Sequence, residues 1–549
     1  MATALLPRLA DGTAALFARL GPPAGLVALG LLVFSDGGAG TAAVGWTAAL
    51  VALALGVRLL VPSVPRVGKP EAAETAAAAV LSVAGLLWAA PSLAAWVAVP
   101  LAVGTLTAWH AAGLHTRGAA AAHEVMVHVQ RGIVHTARSL PVVRATGRTG
   151  IVRLQQLSTV DRFHDVFFAM TRRMVPRAWL TEAMFSPVTL LTVVLVAGAA
   201  LGTPEERVLA CALFAPVAGV CAAKLSESAR GAPGTPDAQR RAAGARRGDA
   251  LVLTRARAVT GPLTSGSLGR MTASAGVTVL AEAAALVLAA VALGRLLTEG
   301  ADAAEPWLWA LLPVATGYLG SLWWTLATYQ SAGVGIARLL SHRFLDQVLA
   351  LPDAPGDDAR VDALARVGTA DVVTTSGLFV HHLRSMVGAA LTPPAAVLAL
   401  AVLDWRVAVA ALCLVPSMVP AVLTLRTDAR ALRHRPVVSG IAQGAGGLVV
   451  CAGAALLLAD VDDPAALLAP LALGVWFAEP VGRTARACRG MRVPLRSAER
   501  LMAFLGGPRG AGGPVGPAAA GAESGHPSPG ENISTYDTNI PLNRRGGKK

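Results

Sequence analysis

The chain has 549 residues, 54% hydrophobic and only 15% charged, whereas soluble domains carry nearer a quarter charged residues, so a water-soluble fold of this size is excluded. The mean hydropathy of +0.57 arises from long apolar blocks, each of which needs an apolar solvent, and that solvent is a lipid bilayer. The net charge of +14 is no nucleic-acid footprint, because the Arg residues are dispersed between apolar blocks and form no single face.

Along the chain, residues 1–20 carry Arg8, Asp11 and Arg19 without an Ala-x-Ala site after a short apolar run, so no cleaved signal peptide is expected. A span takes roughly 20 apolar residues. Candidate spans fall at about 14–34, 42–61, 75–90, 92–110, 185–202, 207–224, 272–297, 306–328, 385–403, 405–425, 437–458 and 464–480, twelve in two sets of six. With the N-terminus inside, the outside connections are short and acidic: Asp36, Glu205 and Glu206, Glu299 with Asp302 and Glu305, Asp404, and Asp460 with Asp462 and Asp463. The inside connections hold the Arg, ten in 111–184, eight in 225–270 and four in 426–436, so one orientation satisfies the positive-inside bias along the whole chain.

The inside connections differ in length. Residues 111–184 and 329–384 are long, with few breakers and a helical apolar period such as Leu339, Phe344, Val348 and Leu351, which predicts helices continuing the spans into the cytoplasm. By contrast, 62–74 and 426–436 are barely long enough to turn. Residues 228–270 read as an Arg-rich linker punctuated by Gly and Pro, and 506–549 as a disordered Gly/Pro-rich tail that holds every Asn of the chain, Asn532, Asn539 and Asn543. The resulting division is 1–227, a first transmembrane domain; 228–270, the linker; 271–505, a second transmembrane domain; and 506–549, the tail. Cys211, Cys221, Cys413, Cys451 and Cys488 form no metal-ligand spacing and read as small core residues.

The second half contains an ordered succession: Arg338-Leu-Leu-Ser-His-Arg-Phe344, Val348-Leu-Ala-Leu-Pro352, Ala363-Leu-Ala-Arg-Val367 with Asp371, Asp404-Trp405-Arg-Val-Ala408, Pro416, then Ser497-Ala-Glu-Arg-Leu501 with Phe504-Leu505. It resembles the transmembrane domain of exporter-type ATP-binding-cassette (ABC) transporters over about 330–505. In the first half Arg131-Gly-Ile133, Leu140, Val142-Val-Arg-Ala145 and Gly147 resemble that family's second cytoplasmic loop. The resemblance implies that Arg131, Val143, Arg144, Leu351, Pro352 and Asp371 belong to loops that couple to an ATPase, with Asp371 capping a returning helix, that Trp405 opens a span, and that Ser497, Glu499 and Arg500 end the domain.

A phosphate-cradling Gly-rich loop needs Lys-Ser/Thr at its end. Here Gly68-Lys69 runs into Pro70 and Gly547-Lys548 into Lys549, and the 49 residues after Arg500 are too few for a nucleotide-binding domain. No cofactor is therefore expected on this chain; ATP and Mg would be handled by a partner ATPase. In the family fold the first cytoplasmic loop of one half and the second loop of the other meet one ATPase domain. The two long loops here, 111–184 and 329–384, are such a pair, so one docking platform is expected to survive, on the side of the second half.

Glu282 lies near the middle of its span, where burying an ionised carboxylate is costly, and is a candidate for contacting a cationic substrate or a proton, or else a structural group near a misplaced span end. Trp323 and Trp324 are candidates for lining a substrate path, or interface anchors. His110, His115, His123, His128 and His135 lack the i, i+4 pair of a metal site. No Ser/His/Asp order or paired carboxylates support hydrolytic or redox chemistry.

The expected fold is all-α: a polytopic membrane protein of about twelve transmembrane helices in two six-helix bundles resembling ABC exporters, in the plasma (inner) membrane with both termini cytoplasmic. The expected function is the permease component of an exporter for a peptide or amphiphilic small molecule, with the lipid bilayer and a separate ATPase subunit as partners. The alternatives are an ion-coupled secondary transporter using Glu282 and a degenerate, non-transporting relative.

Overall fold

The computed structural model describes residues 27, 69–229, 251–351, 358–377, 380, 384–412, 468–476 and 492–506. These residues are almost entirely helical, with no strand among them. In chain order the helices are α1 (Lys69–Ala89), α2 (Pro91–Ala145), α3 (Thr149–Met184), α4 (Pro187–Ala200), α5 (Glu205–Ala229), α6 (Leu251–Glu299), α7 (Ala301–Leu349), α8 (Asp358–Arg366), a π-helical turn (Val367–Asp371), α9 (Val372–Gly377), α10 (Arg384–Leu403), α11 (Trp405–Leu412) and α12 (Arg492–Leu505), with 468–476 also helical.

Helix ends follow local chemistry. Ser186 begins α4 by accepting the Val188 N–H at 3.2 Å, with Pro187 at the first helical position where no N–H is needed. Asp404 does the same for α11, accepting the Arg406 N–H at 2.7 Å, and Trp405 is the first residue of that helix. The α2–α3 turn passes through Gly147 at φ 64°, a conformation that costs a side chain with a Cβ more than it costs glycine.

Three helices are long and apolar enough to cross a bilayer, within Pro91–Gly118, Glu205–Ser226 and Gly266–Glu299; α3 and α4, bent by 50° at their break, form a fourth if taken together. The described residues do not support a count of twelve. The apolar part of α1, Thr75–Ala89, and that of α10, Pro394–Leu403, fall short of the roughly 20 residues a span needs. The expected span in α7 is diluted by Tyr318, Ser321, Trp323, Trp324 and Thr325. The expected spans 42–61 and 437–458 lie outside the described residues, as do most of 14–34 and 405–425, both ends of 464–480 and the turn 426–436.

Two further differences are local. Residues 251–270, expected as linker, already form the start of α6, and α1 begins at Lys69 inside the expected turn 62–74. Gly261, Pro262, Gly266 and Gly269 read as breakers, but propensity is a weak prior that helix packing overrides. The long connections are as expected: α2 has 55 residues and α7 has 49, lengths of about 80 and 70 Å at 1.5 Å per residue, more than twice a bilayer's hydrocarbon core.

The cores draw on both halves of the sequence. The larger one joins Leu190, Leu191 and Leu213 with Leu286, Leu293 and Leu311, and the Trp476 indole donates to the Ala212 carbonyl at 3.2 Å. A second core joins Val129, Ile133, Val160 and Phe163 of the α2–α3 hairpin to Met271, Tyr329, Leu340, Phe344 and Leu501. Cys211 and Cys221 are both buried, and Cys413, Cys451 and Cys488 lie outside the described residues.

Candidate functional site

The α2–α3 hairpin and the α7–α8 hairpin lie side by side, and their tips touch. Arg144, at the end of α2, donates through Nη2 to the Leu349 carbonyl at 2.9 Å and to that of Leu351. Leu140 packs with Leu345 and Leu349, with Val152, Leu157 and Leu351 around them. Two of the residues that the resemblance assigns to ATPase coupling, Arg144 and Leu351, are thus brought into contact. Val143 is buried, Arg131 stands three to four turns further up α2, and Pro352 lies outside the described residues. With His135 and Arg138, Arg131 lines an open groove of about 650 Å³. The tip exposes three large apolar side chains, Val142, Ile151 and Leu154, each more than 60% exposed, beside the exposed Thr146, Arg148, Arg153 and Gln155.

Away from the tip a charge ladder runs between α3 and α7. Arg153 grips Asp346 through Nε at 2.6 Å and Nη2 at 3.1 Å, which holds its guanidinium pKa above the usual value through the hydrogen bond and then the charge of Asp346. Nearer the bundle the signs reverse: Arg338 pairs with Asp165 at 2.6 Å and Asp161 at 3.2 Å, and His342 Nε2 lies 3.0 Å from Asp161. Each pair is exposed and weak by itself; the reversal of sign along the seam is what specifies its register. On α2, Arg138 reaches Asp358 at 2.8 Å. His164 is buried behind this ladder, its Nδ1 2.9 Å from the Val160 carbonyl and its Nε2 without a partner. Burial first, and the Arg338 charge second, lower its pKa to about 4.

Asp371 and the Ser497–Arg500 segment also meet. Arg500 donates to both Asp371 oxygens, at 2.8 and 2.6 Å, and to Ser497 Oγ at 3.2 Å. The hydrogen bond to Asp371 raises the Arg500 pKa. Asp371 is the last residue of the π-helical turn, which runs directly into α9, and its carboxylate is taken up by Arg500. Glu499 beside it is half-buried.

Glu282 is half-buried on α6; one turn before it a hydroxyl network ties α6 to α7, with Thr278 and Thr325 2.7 Å apart and Thr325 donating to the Ser274 carbonyl at 2.9 Å. Trp323 stacks edge-on against Trp179 of α3 with ring centroids 5.6 Å apart, while Trp324 is half exposed. The sequence reading missed the group that gives this region its charge, Arg384, which donates to Glu182 through Nη1 at 3.0 Å and also through Nη2. Glu282 and Tyr318 lie within electrostatic reach of the same guanidinium. The signal was available as two lone charges, each at the edge of an apolar block.

Among the described residues no three His, Cys, Asp or Glu side chains are spaced to hold a metal ion. No protein-family model and no curated protein matches the chain.

Proposed function

We propose that the chain is the membrane component of an exporter: two exporter-type transmembrane domains in tandem, about twelve spans with both termini cytoplasmic, driven by ATP hydrolysed on a separate subunit. The cargo class, a peptide or amphiphilic small molecule, follows the family resemblance. The observation that carries the reading is the contact between the two long hairpins, where Arg144 of the first half binds the Leu349 and Leu351 carbonyls of the second. A pair of rigid levers ending in one shared tip, with Val142, Ile151 and Leu154 exposed there, is what a single docking ATPase needs. The apolar helices within α2, α5 and α6 supply the membrane anchorage of those levers.

The test is reconstitution of the purified chain in lipid vesicles with a separate ATPase subunit that co-purifies with it. ATP-dependent flux of an amphiphilic probe is expected only when both are present. Ile151→Glu with Leu154→Glu should abolish capture of the ATPase while leaving the thermal midpoint unchanged, since both side chains are already exposed. Flux that follows an ion gradient without ATP, no flux under either drive, or undiminished capture by the double variant overturns the reading.

A further inference from the structure

We infer that the chain sits in a bilayer whose hydrocarbon core narrows to about 20 Å around it, bounded on the lever side by a belt of Trp109, Trp179 and Trp323. The inference rests on reading α2, α6 and α7 as membrane-spanning, and goes beyond that reading by fixing both boundaries and the lipid that fits between them. Helices α2 and α3 run antiparallel, and Thr107 Oγ1 lies 3.2 Å from Thr181 Oγ1. Two residues further along α2 and two back along α3, Trp109 and Trp179 therefore stand at one level. Trp179 meets Trp323 of α7 edge-on at 5.6 Å, and its indole N–H donates to the Leu319 carbonyl at 2.8 Å. Three helices thus carry a tryptophan at the same depth, and Trp109 is 77% exposed. Within about two turns beyond the belt come Arg117 on α2 and Arg172, Arg173 and Arg177 on α3, cations suited to an anionic headgroup layer.

The far boundary is marked by Trp96 on α2 and Trp309 on α7, 55% and 65% exposed. The Trp309 indole donates to Glu305 Oε1 at 3.2 Å, so its polar edge meets the charged outer turn while the ring covers apolar helix. Trp96 precedes Trp109 by 13 residues and Trp309 precedes Trp323 by 14, which at 1.5 Å per residue separates the belts by about 20 Å; helix tilt only shortens that depth. An ordinary hydrocarbon core is about 30 Å. Charges on α6 keep the same spacing: Glu282 and Arg295 flank the uncharged run Ala283–Gly294. The apolar lengths of two other helices agree independently. The 14 residues of α4 and the 15 of Thr75–Ala89 in α1 rise about 21–23 Å, too short for an ordinary core but matched to this one. A short apolar belt is accommodated by thinning the bilayer, at a cost that grows with the mismatch, so lipids with short acyl chains fit it best.

The experiment reconstitutes the full chain, labelled with fluorotryptophan, in vesicles of dimyristoleoyl, dioleoyl or dierucoyl phosphatidylcholine, with neither ATP nor ATPase present. Trp109→Phe, Trp309→Phe and Trp323→Phe each assign one fluorine resonance. In the unaltered chain these three signals should be broadened more by a nitroxide on the lipid headgroup than by one at the end of the acyl chain. The thermal midpoint should be highest in the dimyristoleoyl lipid and fall by several degrees towards the dierucoyl lipid. Stronger broadening by the chain-end nitroxide, no broadening of the Trp109 signal by either lipid label, or a midpoint that does not fall with chain length overturns the inference. Flotation of the vesicles separates the two readings: a chain that fails to float overturns the membrane assignment as well, whereas those results on a floating chain overturn the thin core and its boundaries alone.

Discussion

Arg500 and Asp371, 129 positions apart in sequence, are joined by two hydrogen bonds of 2.8 and 2.6 Å. The carboxylate is buried and the guanidinium is half exposed, so the pair is asymmetric: removing the base strands a charge away from water, while removing the acid frees a group that water can reach. Arg500→Ala should therefore destabilise by about 1–3 kcal/mol, and Asp371→Asn by less. A double-mutant cycle read by thermal unfolding in detergent checks this; additive losses would show that the two side chains do not interact.

Acid should loosen the lever region through His164. Its pKa is lowered to about 4 in the folded chain from the ordinary 6.5, so between those values the unfolded chain takes up a proton that the fold refuses. The stabilisation is complete above pH 6.5 and is lost as the pH falls towards 4. A His164→Leu variant should lose less thermal stability over that interval than the unaltered protein; parallel pH profiles would contradict the assignment.

The sign-reversed ladder makes a pairing prediction. Arg153→Asp and Asp346→Arg should each lower the thermal midpoint slightly by placing like charges together, and the combined swap should recover it. The effect should shrink in high salt, since both groups are in water.

A close approach fixes one glycine. A Cβ at Gly368 would stand 2.3 Å from the edge of the Phe344 ring, which is itself buried against the hairpin core. Gly368→Ala should cost about 1–3 kcal/mol through overpacking, with part of it recovered by Phe344→Leu. If the alanine variant melts as the unaltered protein does, the π-helical turn does not pack on α7 as described.

Helix length was legible in the sequence where it rested on the absence of breakers, as in 111–184 and along α7. It was less legible at 251–270, where glycine and proline gave no sign of the helix that runs through them into α6. Arg144, Leu351, Asp371 and Arg500 stood out as residues, through their resemblance to a family pattern, but not as two touching pairs, because neither pattern nor period encodes contacts across 129 or 207 positions. Arg338 and His342 stood out within the family pattern, but their partners Asp161 and Asp165 did not, since charges at helical spacing look the same whether they meet water or another helix. Arg384 and Glu182 went unnoticed for the opposite reason, as single charges at the ends of apolar blocks.

The shared core of the α2–α3 hairpin also governs the order of events during synthesis. Val160 and Phe163 are buried against Phe344 and Leu501, so the hairpin leaves the ribosome well before its partners exist. At the usual 5–20 residues per second Phe344 follows Phe163 by roughly 10–35 s and Leu501 by roughly 20–70 s. For that interval an apolar stripe of the first half stands uncovered, and the cell must shield it or lose the chain to aggregation.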